Sequence, residues 1–556
     1  MRDESSTEPN AVPSSVASKR ALAFVIASFA VIVLGWIAIL PGSTGSDEPG
    51  HIVRSAAVVR GGLPDQGNVD VVFSTSYELP GWVGWPDPQC WAFKLDVPVN
   101  CGTLVDAPEG EVLRGTRSAN YPIWGHLLPG IPSLVLEGTM ANQFARVFHA
   151  IIPFSLICGA LALAARRGRH AAAATLLAVT PVVLFNLATV NPSGLVIAGG
   201  VGFWAAIVFT GRGQPTERWV PWFAAVSWAA MVLSRRDGLI YACVIVSIMI
   251  AANVRSAAEL RQLARRGPLA LSIGAVVVTF AWATTSEADG TMLLFAVPLL
   301  PIAVWLGRSV LERSSLPSRA VAVLLAVVGF VGAFAAVRFV QWRDPALDTS
   351  KWRAIVAETG SDLFEAFGLL SWLDAPMPTS FAFVFVGALG ALVGAVAMVR
   401  PQALVSVVLV LVTGILMSWW LTATQVDGSP QYWQGRYYLP LMVGIPILLG
   451  AVREVGRIDP SGRLARGIGV IAGVVSMVAL AAAMRRFAVG IDGTMAPWRW
   501  HTFGASVSPL FPLIVIAVGW VGLLWSLDRL VTANERAAEF DSTGDDRPVD
   551  IIEEPA

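Results

Sequence analysis

Lysine is nearly absent. Lys19, Lys94 and Lys351 are the only three in 556 residues, and charged residues of both signs together make up 14%. Soluble domains carry about 25% charged residues, so this deficit excludes an ordinary soluble protein. The formal charge is zero, which argues against the basic surface that nucleic-acid binding requires. Cysteine is scarce too: Cys90 and Cys101 precede the main apolar region, and Cys158 and Cys243 lie within it. The chain has no Walker motif, no paired Cys-x-x-Cys and no sequence repeat. Arginine replaces lysine throughout, a bias expected of a GC-rich, for instance actinobacterial, genome.

What is present is apolar sequence, 55% of the chain with mean hydropathy +0.63. A membrane span needs roughly 20 apolar residues. About fourteen segments meet or approach that length: near 21–40, 147–165, 171–190, 194–210, 219–233, 238–252, 268–286, 291–306, 319–339, 381–399, 403–423, 437–452, 467–484 and 509–528. The expected fold is therefore an all-α integral membrane protein of about 14 (12–14) transmembrane helices. Arg166-Arg167-Gly168-Arg169, Arg212 with Arg218, Arg255 through Arg266, Arg308 through Arg319, Arg400 and Arg453 through Arg466 fall in alternate loops. The positive-inside rule then predicts both termini cytoplasmic, in the inner (plasma) membrane. The run 21–40 is too long for a signal h-region and reads as a retained anchor.

The expected organisation is a disordered cytoplasmic tail at 1–20, a first span at 21–40, an extracytoplasmic loop at 41–146, a helix bundle at 147–530, and an acidic cytoplasmic tail at 531–556. Cys90 and Cys101 share the large outer loop, where an oxidising compartment permits a disulfide. They are expected to be bridged, the alternative being two unrelated thiols.

The polar residues with no solubility reason to exist converge on the outer side. Asp47-Glu48-Pro49-Gly50-His51 follows the first apolar run. Proline favours the first helical position, so a helix is predicted through Arg54, with Asp47 and Glu48 at its N-terminus, where the macrodipole stabilises carboxylates. Either one carboxylate is a general base, oriented by His51 and Arg54, or the segment is an ordinary N-cap and surface helix. Asp47, Glu48 and His51 also offer oxygen and nitrogen ligands for a divalent metal; no cofactor is otherwise implied.

Gln434-Gly435-Arg436-Tyr437-Tyr438-Leu439-Pro440 places an arginine at an outer re-entry point, against the positive-inside bias. Its planar fork suits a lipid phosphate, or it snorkels beside interfacial tyrosines. Arg235, in Ser234-Arg235-Arg236-Asp237, is a second candidate phosphate contact or an internal ion pair with Asp237. Asn191-Pro192-Ser193-Gly194 reads as a turn. Trp372 and Asp374, in Ser371-Trp372-Leu373-Asp374-Ala375-Pro376, offer a sugar-stacking ring and a carboxylate, or a helix cap. Tyr121-Pro122-Ile123-Trp124 lines a cleft or touches headgroups.

Taken in this order, Asp-Glu-Pro-x-His, Asn-Pro-x-Gly, Trp-Leu-Asp-x-Pro-x-Pro and Gln-Gly-Arg-Tyr-x-Leu-Pro resemble the membrane-protein family called domain of unknown function 2142. Gly50 stands where that pattern has alanine, and the Arg235 segment stands where it has a lysine followed by proline. The family in turn resembles the C-type glycosyltransferases, which take polyprenyl-phosphate sugars as donors. That resemblance implies Asp47 as base with Glu48 supporting it. Arg436 and Arg235 would bind the donor phosphate, and Trp372, Asp374, Gln434, Tyr437 and Asn191 would line the sugar or acceptor cleft. The implied partners are a polyprenyl-phosphate sugar, an envelope glycan or glycolipid acceptor and membrane lipids. The competing readings are a flippase for lipid-linked glycan, which needs charges or broken helices within the spans, and a non-catalytic scaffold.

Overall fold

A computed structural model describes residues 14–62, 68–71, 74–103, 106–119, 121–210, 217–235, 237–252, 266–285, 298–312, 349–423, 434–500 and 509–543. The chain opens with α1 (Ser14–Ile39), α2 (Glu48–Val59) and the antiparallel strands β1 (Asn68–Val71), β2 (Ser74–Pro80) and β3 (Glu111–Thr116), followed by α3 (Trp124–Gly130). The bundle continues with α4 (Gly138–Arg167), α5 (Arg169–Ala178), α6 (Pro181–Ala188), α7 (Pro192–Phe209), α8 (Trp219–Ser234), α9 (Gly238–Ala251), α10 (Arg266–Thr285) and α11 (Leu299–Glu312). Then come α12 (Thr349–Gly368), the short hairpin β4 (Leu369–Leu370) and β5 (Ala375–Pro376), α13 (Thr379–Val399) and α14 (Leu404–Ala423). The last elements are α15 (Leu439–Met442), α16 (Gly444–Gly450), α17 (Val455–Ile458), α18 (Arg463–Val489) and α19 (Leu510–Thr543).

Among the described residues, seven helices are long and apolar enough to cross a membrane, or eight if the bent pair α5–α6 is one span. The protein is a mostly helical, multi-pass membrane protein, and the expected count of about fourteen spans is not confirmed among the described residues. Among the described residues, further apolar helices are shorter than a full span, including α8 and α9. Segment 171–190 is bent by 62° because Thr180 caps a new helix whose first residue is Pro181, and proline cannot continue the preceding one. Segment 437–452 is split between α15 and α16. Segment 319–339 lies outside the described residues, and the helix expected at 291–306 occupies Leu299–Glu312. The expected boundaries also move: α1 starts at Ser14, α4 starts at Gly138, and α19 runs on to Thr543.

The all-α expectation needs a further correction, because residues 41–146 carry a sheet. β2 and β3 pair from Thr75 with Thr116 to Pro80 with Glu111, and β1 joins the other edge of β2. Tyr77 and Leu79 point from β2 onto Ile52, Val53, Ala56 and Ala57 of α2, forming a small core of their own. The larger apolar core runs through the helices. Cys90 and Cys101 are bonded, with Cα atoms 6.1 Å apart.

Two buried ion pairs tie this lobe to the bundle. Glu48 is fully buried and accepts from Arg146 Nε and Nη2, both at 2.7 Å, and from the backbone N–H groups of Gly45 and Val190, both at 3.0 Å. Arg146 donates onward to the carbonyls of Leu40 and Pro41, at 2.6 Å each. One carboxylate thus joins the end of α1, the start of α2, α4 and the α6–α7 turn. Asp374 pairs with Arg486 at 2.8 Å, both 1% exposed. Arg486 also donates to the carbonyls of Trp91, Lys94 and Val97 beside the disulfide.

Removing one partner of a buried pair costs about 3–5 kcal/mol. Glu48→Gln is therefore expected to lower stability by about that amount in denaturation of the detergent-solubilised protein. Asp47→Asn, which keeps a hydrogen-bonding amide at a half-exposed position beside buried Arg436, is expected to cost less than Glu48→Gln in the same measurement.

Candidate functional site

The segment between α1 and α2 is held almost atom by atom. The Ser43 and Thr44 carbonyls accept from Trp372 Nε1 at 3.0 Å and Ser371 Oγ at 2.9 Å, and Ser46 Oγ donates to the Ser371 carbonyl. Asn191 Nδ2 donates to the Ser46 carbonyl at 2.9 Å. These contacts leave Asp47 in the left-handed region at φ 61°, a conformation that aspartate tolerates better than most residues.

Asp47 occupies the N-cap position of α2, yet its side chain makes no capping hydrogen bond. Eight of the twelve residues of α2 are buried. The ordinary N-cap and surface helix therefore fails as an account of this motif. The carboxylate reaches instead to Arg436, with Oδ2 at 2.8 Å from Nη2; Asp47 is 52% exposed and Arg436 8%.

Arg436 sits on the short turn Gly435–Tyr437. Gly435 donates to Glu365 Oε2 at 3.0 Å. A Cβ at Gly435 would lie 2.3 Å from both the Ala366 nitrogen and Glu365 Cβ, and 2.5 Å from the Asp362 carbonyl. Glycine is required there because α12 presses on the turn. Arg235 stands beside Arg436, donating to Asp237 at 2.9 Å and Ser193 Oγ at 2.8 Å. Its guanidinium lies 4.7 Å from the Tyr437 ring and 5.4 Å from that of Tyr121, and Arg436 lies 5.4 Å from Tyr437. Two guanidiniums thus flank one phenol ring next to one half-exposed carboxylate.

His51 projects into the same neighbourhood. Its Nδ1 is 3.2 Å from His126 Nε2, and its ring meets Tyr121 edge-on at 5.2 Å. Burial pushes its pKa well below the usual histidine range, with His126, Arg436, Arg235 and His149 adding to the effect. Burial likewise lowers His126, to about 3. Both rings are neutral near pH 7.

The structure separates several residues that the sequence grouped together. Glu48 faces away from Asp47 into the Arg146 clamp, so it is neither a second base nor a shared ligand. Arg54 donates to Tyr77 Oη at 2.9 Å and the Gly62 carbonyl at 3.1 Å, so it orients the sheet rather than Asp47. Asp374 is consumed by Arg486 and does not line a cleft. Trp372 clamps the Ser43 carbonyl and meets Phe93 edge-on at 5.7 Å. Asn191 spends its amide on Ser46 and its oxygen on the Ser193 N–H, so it positions the loop. Gln434 lines a small cavity with Ser46, Glu365 and Arg436, and Arg236 lies outside the described residues. Among the described residues, no three His, Cys, Asp or Glu side chains converge as metal ligands.

Gly50 also has a local reason. A Cβ there would come 3.1 Å from Thr116 Oγ1, which donates to the Gly50 carbonyl. Sequence reasoning missed Arg146, Arg486, His126 and Glu365. Arg146 did carry a signal, as a lone arginine at the head of an otherwise uncharged apolar run.

The family described as "Predicted membrane protein (DUF2142)" matches residues 29–445, a stretch containing all four motifs. The chain belongs to this family. Two solved structures of an oligosaccharyltransferase from Archaeoglobus fulgidus are also similar to the DUF2142 chain, each at 12% identity and a TM-score of 0.39. One is the archaeal enzyme AglB in complex with an inhibitory peptide and a dolichol-phosphate, and the other is the apo form. Each alignment covers 94% of this chain and 56% of the other, so this DUF2142 chain spans little more than half the length of those enzymes. No curated protein matches it.

Two outcomes are expected. Gly435→Ala overpacks the turn against backbone and should destabilise the protein by about 1–3 kcal/mol, read by denaturation. The second concerns the histidines. Between the lowered folded pKa and the unfolded value near 6.5, the unfolded chain binds the extra proton, so stability rises with pH. The His126 contribution is full above about pH 6.5 and lost progressively as pH falls toward about 3. The stability–pH slope of His126→Leu should be shallower than that of wild type across this window.

Proposed function

We propose that this DUF2142 protein is a C-type glycosyltransferase. It transfers a sugar from a polyprenyl-phosphate donor to an envelope glycan or glycolipid hydroxyl, at the extracytoplasmic face of the plasma membrane. The observation that carries this reading is the pairing of half-exposed Asp47 with buried Arg436, with Arg235 alongside. The motif resemblance supports it, as does the lobe of residues 41–137 packed over this end of the bundle. Both termini are then cytoplasmic.

In this reading the donor keeps its tail in the bilayer and brings its phosphate to Arg436 and Arg235. Arginine binds phosphate oxygens through a planar fork. As the phosphate takes Arg436, Asp47 is released toward the acceptor. The acceptor hydroxyl attacks the anomeric carbon opposite the phosphate, and its proton passes to the Asp47 carboxylate. The bond from the anomeric carbon to the phosphate oxygen breaks, and its electron pair leaves with the lipid phosphate. Charge grows on the phosphate during transfer, so preorganised guanidiniums stabilise the transition state more than the ground state. The anomeric centre is inverted.

One observation favours a second reading. The broken pair α5–α6 is of the kind that transporters use, and its C-terminal turn contacts the Glu48 clamp. A flippase for lipid-linked glycan would relocate the lipid without forming a new glycosidic bond.

The deciding experiment uses the full chain in nanodiscs with a panel of labelled synthetic polyprenyl-phosphate sugars and glycan acceptors. Wild type is expected to form a new linkage. Asp47→Asn should lower turnover by about 10²–10⁴-fold, and Arg436→Lys by about 10²–10³-fold. Wild-type turnover in Asp47→Asn would refute its role as base. Lipid movement across the bilayer without any new linkage would favour the flippase.

A further inference from the structure

The histidines beside Asp47 have no part in the chemistry above, yet their hydrogen bonds form a directed chain. His126 Nδ1 lies 3.2 Å from the Pro122 carbonyl oxygen. A carbonyl can only accept, so this nitrogen carries the proton. The buried ring is neutral, which leaves a lone pair on His126 Nε2. That lone pair faces His51 Nδ1 at 3.2 Å, so His51 Nδ1 must be the donor. His51 is itself held neutral by burial and by the surrounding histidines and arginines. Its single ring proton is therefore on Nδ1, and its Nε2 is a bare acceptor. Which nitrogen of a histidine is free is set by the bond the other one makes.

His51 lies one helical turn beyond Asp47, its N–H donating to the Asp47 carbonyl at 3.1 Å. The neutral ring meets Tyr121 edge-on, and Arg235 lies over the same tyrosine at 5.4 Å. The two sides of this site therefore have opposite hydrogen-bonding demands. The guanidiniums only donate and select an anion. A bare imidazole nitrogen only accepts, so it disfavours an ionised phosphate, which has no proton to give, and favours a hydroxyl.

We infer that His126 fixes His51 in the tautomer whose Nε2 accepts a hydrogen bond from a sugar hydroxyl of the donor, so that His51 and the two arginines divide the site into a hydroxyl side and a phosphate side. His126 is a positioning residue: it acts through His51 and touches no substrate. The identity of the hydroxyl rests on the glycosyl-transfer reading, whereas the tautomer does not.

Two measurements test this on the full chain in nanodiscs. Selective ¹⁵N labelling of histidine side chains reads the tautomer. His51 should show a protonated Nδ1 and an unprotonated Nε2. His126→Gln, whose amide oxygen still accepts from Nδ1, should keep that pattern, and His126→Leu should lose it. A protonated Nε2, or a doubly protonated ring, in the wild type overturns the inference whether or not the protein transfers sugar.

The second measurement compares binding of a synthetic polyprenyl-phosphate sugar with binding of the bare polyprenyl phosphate. His51→Phe and His126→Leu should weaken the sugar-bearing lipid by up to about tenfold and leave the bare lipid unchanged. His126→Gln should bind both lipids as wild type does. Equal loss for both lipids, or no loss for either, overturns hydroxyl recognition by His51. If wild type binds neither lipid, the glycosyl-transfer reading falls and takes the sugar hydroxyl with it, while the ¹⁵N spectrum still decides the tautomer.

Discussion

The arrangement of this site depends on the ion pair between Glu48 and Arg146. A buried carboxylate and guanidinium lose so much hydration that the pair adds little net stability unless every lone pair and proton is used. Here the use is nearly complete: Glu48 accepts four hydrogen bonds, and Arg146 closes the two carbonyls that follow α1. What the pair contributes is specificity of position. It fixes where the chain leaves the first helix and where the second begins, and it leaves Asp47 one way to turn. The positive φ of Asp47 accompanies this lock on one side and the contacts of Ser43, Thr44 and Ser46 on the other.

Much of this was legible in the sequence, but only down to the motif. An acidic pair before a proline marks a helix start, and an arginine at a re-entry point marks an anion contact. Composition fixed the membrane class. Which of two adjacent carboxylates faces the cleft was not legible, because the answer depends on Arg146, 98 residues away. Asp374 has the same history: its partner Arg486 lies 112 residues further on. Local spacing carries no information about pairings at that range. The sheet was missed because its strands are four to seven residues long and sit in a proline- and glycine-rich stretch. Apolar length alone does not register a break such as the one at Thr180-Pro181, so the sequence shows one run at 171–190 where the structure has two helices.

Glycines gave a second kind of information. Gly435 is pressed on one side by the backbone of α12, and Gly50 faces the Thr116 hydroxyl at a distance where a methyl group fits only if the threonine gives way. The first explains why the glycine of the Gln-Gly-Arg motif precedes its arginine. Only a residue without a side chain lets the turn approach α12 closely enough to present Arg436 to Asp47. The second shows how a departure from the family pattern is absorbed locally, through the hydrogen bond from Thr116 to the Gly50 carbonyl.

Among the described residues, three long-range arginine–carboxylate pairs lie at this end of the bundle beside the local pair Arg235–Asp237, and their exposure separates structure from function. Glu48–Arg146 and Asp374–Arg486 are closed on both sides. Opening either would strand a charge in a medium of low polarity, at a cost of several kcal/mol. Asp47–Arg436 is asymmetric: the guanidinium is buried, while the carboxylate is half in water. Releasing that carboxylate returns it to solvent, while the buried cation stays where the turn holds it and needs another anion in its place. An incoming anion can therefore replace Asp47 at Arg436, but no ligand could replace Glu48 at Arg146. A binding site needs a partner that can be exchanged, and of these three pairs only the one between Asp47 and Arg436 has it.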